Sequence, residues 1–370
     1  MKLAPGTYTD FPAHLDRLPG FINDALPDGW GMLLMDRLFR RMGRDPAAVS
    51  PLDRLSFIGE RAMGALSFEP SADIEPTADD LTLLEIARAT RRFIEGRYDE
   101  VLATLAIVGG SPHGARPKAL VRYDARAGTI STRDGAPGEP WLVKFPAATE
   151  HREASAIEQV HADMARACGI EMPASRHVEL GRSMAAFMVA RFDRERGARV
   201  PVQSIAAALH ADFRVPGVDY ATVLRLVRLF TRDEREVAKA YQCCVFNVVF
   251  GNQDDHARNL AFRMDERINW RLSPACDLTF ARGPAGGHQT SVAGAGVPTL
   301  ADLRRPADEG GVERKTALDL IDRTRGRAAT LARALRNAPV RAATIREIVR
   351  NVAENDRRLQ LRASVPSPRR

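Results

Sequence analysis

Nine consecutive residues, Gly251-Asn252-Gln253-Asp254-Asp255-His256-Ala257-Arg258-Asn259, carry the densest set of groups able to do chemistry. Asp254 and Asn259 stand five positions apart. A carboxylate there can take or orient the proton of an attacking hydroxyl, and an amide oxygen can be presented to Mg2+. A further carboxylate, Asp277, lies in Ser273-Pro274-Ala275-Cys276-Asp277-Leu278. It follows an alternation of Ile268, Trp270 and Leu272 with Asn269 and Arg271, which predicts a strand ending close to Asp277. Magnesium takes one or two carboxylates together with phosphate oxygens and water. The competing reading of the run is an Asn/Asp-rich turn that caps helices.

The Asp254–Asn259 spacing equals that between base and metal-binding asparagine in the protein-kinase catalytic loop. A kinase also needs a lysine on a strand, paired with a glutamate on a helix. Trp141-Leu142-Val143-Lys144-Phe145-Pro146 offers the lysine. Glu153 falls at helical spacing with Ile157, Val160, Met164 and Cys168, so it is predicted to point inward and to pair with Lys144. A purely structural ion pair is the alternative.

Gly109-Gly110-Ser111-Pro112-His113-Gly114-Ala115-Arg116-Pro117-Lys118 could close backbone N–H groups on phosphates, with Lys118 adding charge. It matches neither Walker A nor GxGxxG, and a flexible hairpin competes with that reading. Met188-Val189-Ala190-Arg191-Phe192-Asp193-Arg194 leaves an apolar run for a polar one. Backbone groups at Val189 and Arg191 could read an adenine edge and Phe192 could pack on it; a structural linker is the alternative.

The elements that must hold these groups follow from periodicity. Residues 1–100 predict a helical segment with loops, with stripes at Leu33, Leu34, Leu38 and Phe39 and at Leu81, Leu84, Ile86 and Ile94. Ser71–Asp80 reads as a linker. Residues 101–192 predict an α+β lobe with strands at 119–121, 141–143 and 186–189 and a helix at 152–168. Residues 193–362 predict a helical lobe: two helices within 219–260, the second closed by Gly251, and two within 312–361. Residues 363–370 are expected to be a disordered tail.

The 370 residues carry a net charge of +7, which suits phosphates, nucleic acid or an acidic protein as partners. Only five of 54 basic residues are lysines, at 2, 118, 144, 239 and 315. Four cysteines without a CxxC pair predict reduced thiols and a cytoplasmic protein. No apolar run is long enough for a membrane span, so no membrane partner is expected.

Taken in order, NQDDHARN, SPACDL, ARFDR and GARPK resemble the HipA family of bacterial toxin serine/threonine kinases, over about residues 100–355. The resemblance implies a two-lobed, protein-kinase-like α+β fold and an ATP- and Mg2+-dependent protein kinase. It implies Asp254 as catalytic base beside His256, Asn259 and Asp277 as magnesium ligands, and Lys144 as the ATP lysine. Nucleotide contacts are expected from Glu153, Val189, Arg191, Phe192, Gly110, Gly114, Lys118 and Arg258. Ser111 matches the family's autophosphorylated serine. The partners it implies are an aminoacyl-tRNA synthetase as substrate and a helix-turn-helix antitoxin, with DNA reached only through the antitoxin. Arg258 stands where the family often has lysine, and Ala190 where glutamate is common. Residues 20–70 resemble only the end of the family's opening subdomain, as in a short form served by a separate small protein or a chain whose natural start lies upstream.

Two other function classes fit parts of the pattern. A kinase-fold phosphotransferase acting on a small molecule is one, although the chain lacks an acidic C-terminal cluster for a polycationic substrate. A non-catalytic co-repressor or binding module is the other. A metallohydrolase built on Asp254, Asp255, His256 and Asp277 is disfavoured by the absence of HxH and HExxH.

Overall fold

The computed structural model describes residues 6–72, 80–97, 102–109, 111–133, 135–147, 149–283 and 286–360. The expected linker at 71–80 falls mostly outside these residues, and the tail at 363–370 falls wholly outside them. The chain forms two compact units, the first built from residues 1–159, 173–212 and 261–269, the second from 160–172, 213–260 and 270–370.

The first unit packs helices on one five-stranded antiparallel sheet. Its helices of eight residues or more are α1 (Gly29–Arg41), α2 (Pro51–Ile58), α3 (Leu83–Ile94) and α4 (Leu102–Gly109). Its main strands are β1 (Lys118–Asp124), β2 (Thr129–Ser131), β3 (Glu139–Lys144), β4 (Ser175–Leu180) and β5 (Met184–Ala190). They run in the order β2-β1-β3-β5-β4. β6 (Val202–Ser204) pairs antiparallel with β7 (Ala261–Met264). Between β3 and β4 runs α5 (Ala154–Cys168), through which the division between units passes.

One core joins sheet and helices. Trp30, Leu34, Met35 and Phe39 of α1 meet Ile86 and Phe93 of α3, Leu102 of α4, and Ala119, Val143 and Met188 of the sheet. α3 starts where Thr82 and Glu85 satisfy each other's backbone N–H in a capping box. Two details depart from the periodicity reading. Leu33 and Ile94 are exposed; the buried stripes run through Trp30, Leu34 and Leu38 and through Leu83, Ile86, Thr90 and Phe93. A 3.6-residue repeat fixes spacing but leaves the phase to tertiary packing.

In the second unit, α7 (Glu234–Phe250) follows α6 (Tyr220–Thr231) and is buried nearly all round. α6, α9 (Arg314–Ala328) and α11 (Ala342–Arg358) pack against it. α8 (Leu300–Glu309) precedes α9, and α10 (Leu331–Arg336) separates α9 from α11. Residues 312–361 thus hold three helices where periodicity gave two, because Thr330 and the 337–341 segment break a pattern that is amphipathic throughout. The strand β8 is only Trp270–Leu272. Ile268, expected on it, is exposed in a turn with φ +62°, so its alternation with Trp270 was coincidental. No described helix is long and apolar enough to cross a membrane.

Candidate functional site

The catalytic-loop sequence begins where α7 ends. Gly251 closes α7 in the left-handed region at φ +71°, and a Cβ there would sit 2.4 Å from Asn351 Oδ1. The next residues are then stitched down. The N–H of Asn252 reaches the carbonyl of Asn247 at 2.9 Å, and that of Gln253 the carbonyl of Ala281 at 2.9 Å.

The two adjacent aspartates divide their roles. Asp255 is 2% exposed and saturated. Its Oδ2 accepts from Tyr220 Oη at 3.0 Å and His288 Nδ1 at 2.8 Å; its Oδ1 accepts from the Gln289 N–H at 3.0 Å. The chain of bonds continues from Asn247 Nδ2 to Tyr220 Oη, and from Asn252 Nδ2 to Asn247 Oδ1. Burial, and then the facing Asp255 charge, push the Tyr220 phenol well above its ordinary pKa, so it stays a donor. Asp255 is therefore a strut. Asp254 is only half-buried, and its Oδ1 accepts from Gln289 Nε2 at 2.5 Å, which orients the carboxylate.

Asn259 is turned the same purposeful way. Its Nδ2 donates to the Asp254 carbonyl at 2.8 Å, while its Oδ1 accepts no hydrogen bond among the described residues. The amide oxygen is left for another ligand. Cys276 Sγ donates to the Asn259 carbonyl at 3.4 Å, and Asn252 Nδ2 to the Asp277 carbonyl at 3.4 Å. These bonds bring Asp254, Asn259 and Asp277 together. Asp277 does not end the strand as expected: it lies in the loop after Leu272, with φ +56°. A non-glycine residue held there stores strain of about 1–3 kcal/mol, of the kind found where function fixes a side chain. By its chemistry the donor set, one carboxylate and one neutral oxygen, fits magnesium, which takes its remaining ligands from phosphate oxygens and water. No cluster of three His, Cys, Asp or Glu able to hold a metal occurs among the described residues. His256 packs on Phe213 at 5.4 Å, with its Nδ1 buried and lacking a partner; Arg258 lies over the same ring at 4.4 Å.

In the first unit, Lys118 and Lys144 stand directly opposite on β1 and β3, and both are buried. Two of the chain's five lysines are thus adjacent. Like charges so placed repel, and Glu158 offsets this. Lys144 Nζ donates to Glu158 Oε1 at 2.7 Å, and Arg116 Nη1 to Glu158 Oε2 at 2.9 Å. The sequence reading named Glu153 and not this glutamate. Glu153 is buried but precedes the first residue of α5, Ala154; Glu158, a turn inside the helix, carries the pair. Ion-pair neighbours from β3 and the 116 loop turn Glu158 inward, which a helical wheel of apolar residues does not report.

The glycine-containing segment is tethered. Gly114, at φ +103°, donates its N–H to the Asp28 carboxylate, and its carbonyl accepts from the Trp30 N–H at 3.0 Å. His113 Nε2 meets the Leu26 carbonyl at 3.0 Å. Ser111 is 3% exposed, and its Oγ has no hydrogen-bond partner among the described residues. Gly110 lies outside the described residues.

At the end of β5, Val189 sits between Leu142 and Ser175 in the sheet. Arg191 follows directly after β5. Its N–H reaches the Pro140 carbonyl at 3.0 Å, and its guanidinium clamps Asp193 at 2.7 and 2.9 Å. Phe192 is half-buried beside it. Arg194 and the Gly64 N–H also bind Asp193. Burial raises the Asp193 pKa, but the Arg191 hydrogen bond and the Arg191 and Arg194 charges outweigh it and hold the carboxyl below its ordinary value. A depressed folded-state pKa gives stability present above the unfolded value near 3.8 and lost as pH falls through the folded one. Urea unfolding is therefore expected to show Asp193→Asn less stable than the parent at pH 7, with the gap closing as pH falls below 4. An unchanged gap would assign the effect to packing.

Sequence reasoning missed Tyr220, Gln289, His288 and Glu158. None lies in a motif; each is 14 to 35 residues from the group it supports.

A sheet-bearing first unit and a helical second unit, with these loops, define a protein-kinase-like α+β fold, as the sequence predicted. The model of the HipA-like C-terminal domain matches residues 110–334, and that of the HipA N-terminal domain matches residues 1–69. The chain belongs to the HipA family. The N-terminal match extends beyond the residues 20–70 in which the sequence alone showed a likeness.

Among solved structures, one chain of the Shewanella oneidensis MR-1 complex of HipA, HipB and operator DNA superposes with a TM-score of 0.69. That likeness spans 93% of this chain and 85% of that one at 18% identity, and it speaks to fold. A Sinorhizobium fredii protein, named "Putative kinase Y4dM", is 24% identical over 278 residues. The match covers 70% of this chain and 62% of that relative's length.

Proposed function

We propose that this chain is a serine/threonine protein kinase that transfers the γ-phosphoryl group of ATP to a hydroxyl, acting in the cytoplasm as the toxin of a toxin–antitoxin pair. The observation that carries the reading is the split within the 252–259 loop. Asp255 is buried and saturated, while Asp254 is oriented by Gln289 and Asn259 keeps an acceptor oxygen available. A helix-capping turn would spend these groups on backbone N–H donors. Here Asn259 Nδ2 spends its proton on the loop and leaves its oxygen for a ligand.

In this reading Asn259 Oδ1 and the Asp277 carboxylate would hold magnesium, which would supply charge neutralisation at the phosphate oxygens. Lys144 and Lys118 place ammonium groups for the phosphates. Asp254 accepts the proton of the attacking hydroxyl as the new O–P bond forms and ADP departs. His256 and Arg258, sharing the Phe213 ring, complete the loop's surface. The target class is an aminoacyl-tRNA synthetase, as the family resemblance implies. The partner is a helix-turn-helix antitoxin, supported by the HipB and operator DNA of the Shewanella complex. Phosphorylation of Ser111 requires the 111–116 segment to leave its seat, because the Oγ is buried.

The test is mass spectrometry of the purified chain after incubation with Mg-ATP and a set of aminoacyl-tRNA synthetases. Phosphoserine or phosphothreonine on a synthetase, or on Ser111, is the expected outcome. ATP turnover labelling only added small molecules would instead favour a small-molecule phosphotransferase. No ATP binding would leave a binding module.

A further inference from the structure

A cavity of about 560 Å3 is lined wholly by residues of the first unit. That volume falls in the range of small-molecule sites, about 300–1,000 Å3. One wall is a single face of α3: Ala87, Thr90, Arg91, Ile94 and Glu95 recur at helical spacing. The floor is apolar, from Phe145, Pro146, Met184 and Ala185. The rim carries charge from the β3–α5 loop and the β4–β5 turn.

The rim is biased to anions. Arg152 Nη1 donates to the Arg182 backbone carbonyl at 2.6 Å, which fixes the two segments together. Neither the Arg152 nor the Arg182 guanidinium has a carboxylate partner among the described residues. Arg91 is paired with Glu95 at 3.3 Å, and Glu150 with Arg116 at 2.7 Å, so these charges are answered. An apolar floor under two guanidiniums lacking counter-ions is the arrangement that selects an amphiphilic anion.

The cavity wall is also wired to the lysine. Glu150 lines the cavity and accepts from Arg116 Nε at 3.0 Å and Nη2 at 2.7 Å. Arg116 Nη1 donates to Glu158, and Glu158 accepts from Lys144 Nζ at 2.7 Å. One guanidinium is thus shared between a cavity carboxylate and the partner of the buried lysine. A negative charge placed beside Glu150 repels it toward Arg116. Arg116 then leans to Glu150 and releases Glu158, which falls more fully to Lys144. An ammonium more tightly held by carboxylate is less available to phosphate.

We propose that this cavity binds a small amphiphilic anion, its apolar body on Phe145 and Met184 and its charge on Arg152 and Arg182, and that occupancy weakens ATP binding through Glu150, Arg116 and Glu158. The binding site stands on its own; the effect on ATP rests on the kinase reading.

The probe is 8-anilino-1-naphthalenesulfonate, an aromatic sulfonate whose fluorescence rises in apolar sites. The full chain is expected to bind one equivalent. Arg152→Ala/Arg182→Ala is expected to weaken the dye at least about tenfold, and Met184→Trp, which fills the floor, to abolish it. Melting temperatures serve as the folding control. Dye binding that ignores both variants, or that Mg-ATP displaces completely, places the dye elsewhere and overturns the site. For the relay, calorimetry of Mg-ATP at saturating dye is expected to show an affinity loss of about fivefold or more, the size of ordinary coupling. Glu150→Gln should still bind dye but lose that response. An ATP affinity unmoved by dye overturns the relay. A chain that binds dye but no ATP at all overturns the kinase reading and leaves the cavity site standing.

Discussion

Asp254→Ala is expected to abolish measurable phosphoryl transfer while leaving the fold intact. A positioned proton acceptor contributes about 10²–10⁴-fold to such reactions, or roughly 3–5 kcal/mol of barrier. Asp254 is half-buried and lies in the loop after α7 rather than within a core element, so its removal is expected to cost little stability. The neighbour is the control. Asp255→Ala would leave Tyr220, His288 and two backbone N–H groups without their acceptor in a buried setting, and is expected to unfold or loosen the second unit. The pair of variants therefore separates chemistry from structure at adjacent positions. The measurement is transfer of labelled γ-phosphate, with melting temperature recorded for each variant. An Asp254→Ala chain with parental turnover would remove the assignment of Asp254 as base.

What made Asp254 and Asn259 legible was locality. Both sit on one loop after a helix whose end is marked by Gly251, and the hydrogen bond between them spans only their own turn. The strands of the first unit were legible because Ala119–Val121, Trp141–Val143 and Ala186–Val189 are short apolar runs bounded by turns. The phase of α1 and α3 was not, since only packing decides which of two adjacent leucines faces in. Nor was the role of Asp255 separable from that of Asp254. The two are alike in sequence, and what distinguishes them arrives from Tyr220 and from His288, more than 30 residues away on either side. The part of Glu158 was not legible for a related reason. An inward carboxylate needs a cation, but the stretch from 153 to 158 offers two glutamates, and that Glu158 meets Lys144 depends on where β3 and Arg116 lie.

That ion pair supplies the second large effect. Glu158→Ala is expected to destabilise the chain by about 3–5 kcal/mol, since it takes a carboxylate from the buried Lys144 ammonium, which has Lys118 directly opposite. Lys144 is 5% exposed, so water cannot readily replace the carboxylate. Lys144→Met should cost similarly, by leaving Glu158 to Arg116 alone. The double variant Lys144→Met/Glu158→Leu removes both charges and fills the space, and such replacements are commonly neutral or stabilising. Urea unfolding is expected to show it recovering most of the loss. If the pair were only a structural rivet, the double variant would also recover phosphoryl transfer. If Lys144 serves the phosphates, the rescued protein stays inactive, because methionine restores packing but offers no charge to a polyphosphate. Stability regained without activity is thus the signature expected of a functional lysine, and activity regained along with stability would reduce the pair to architecture.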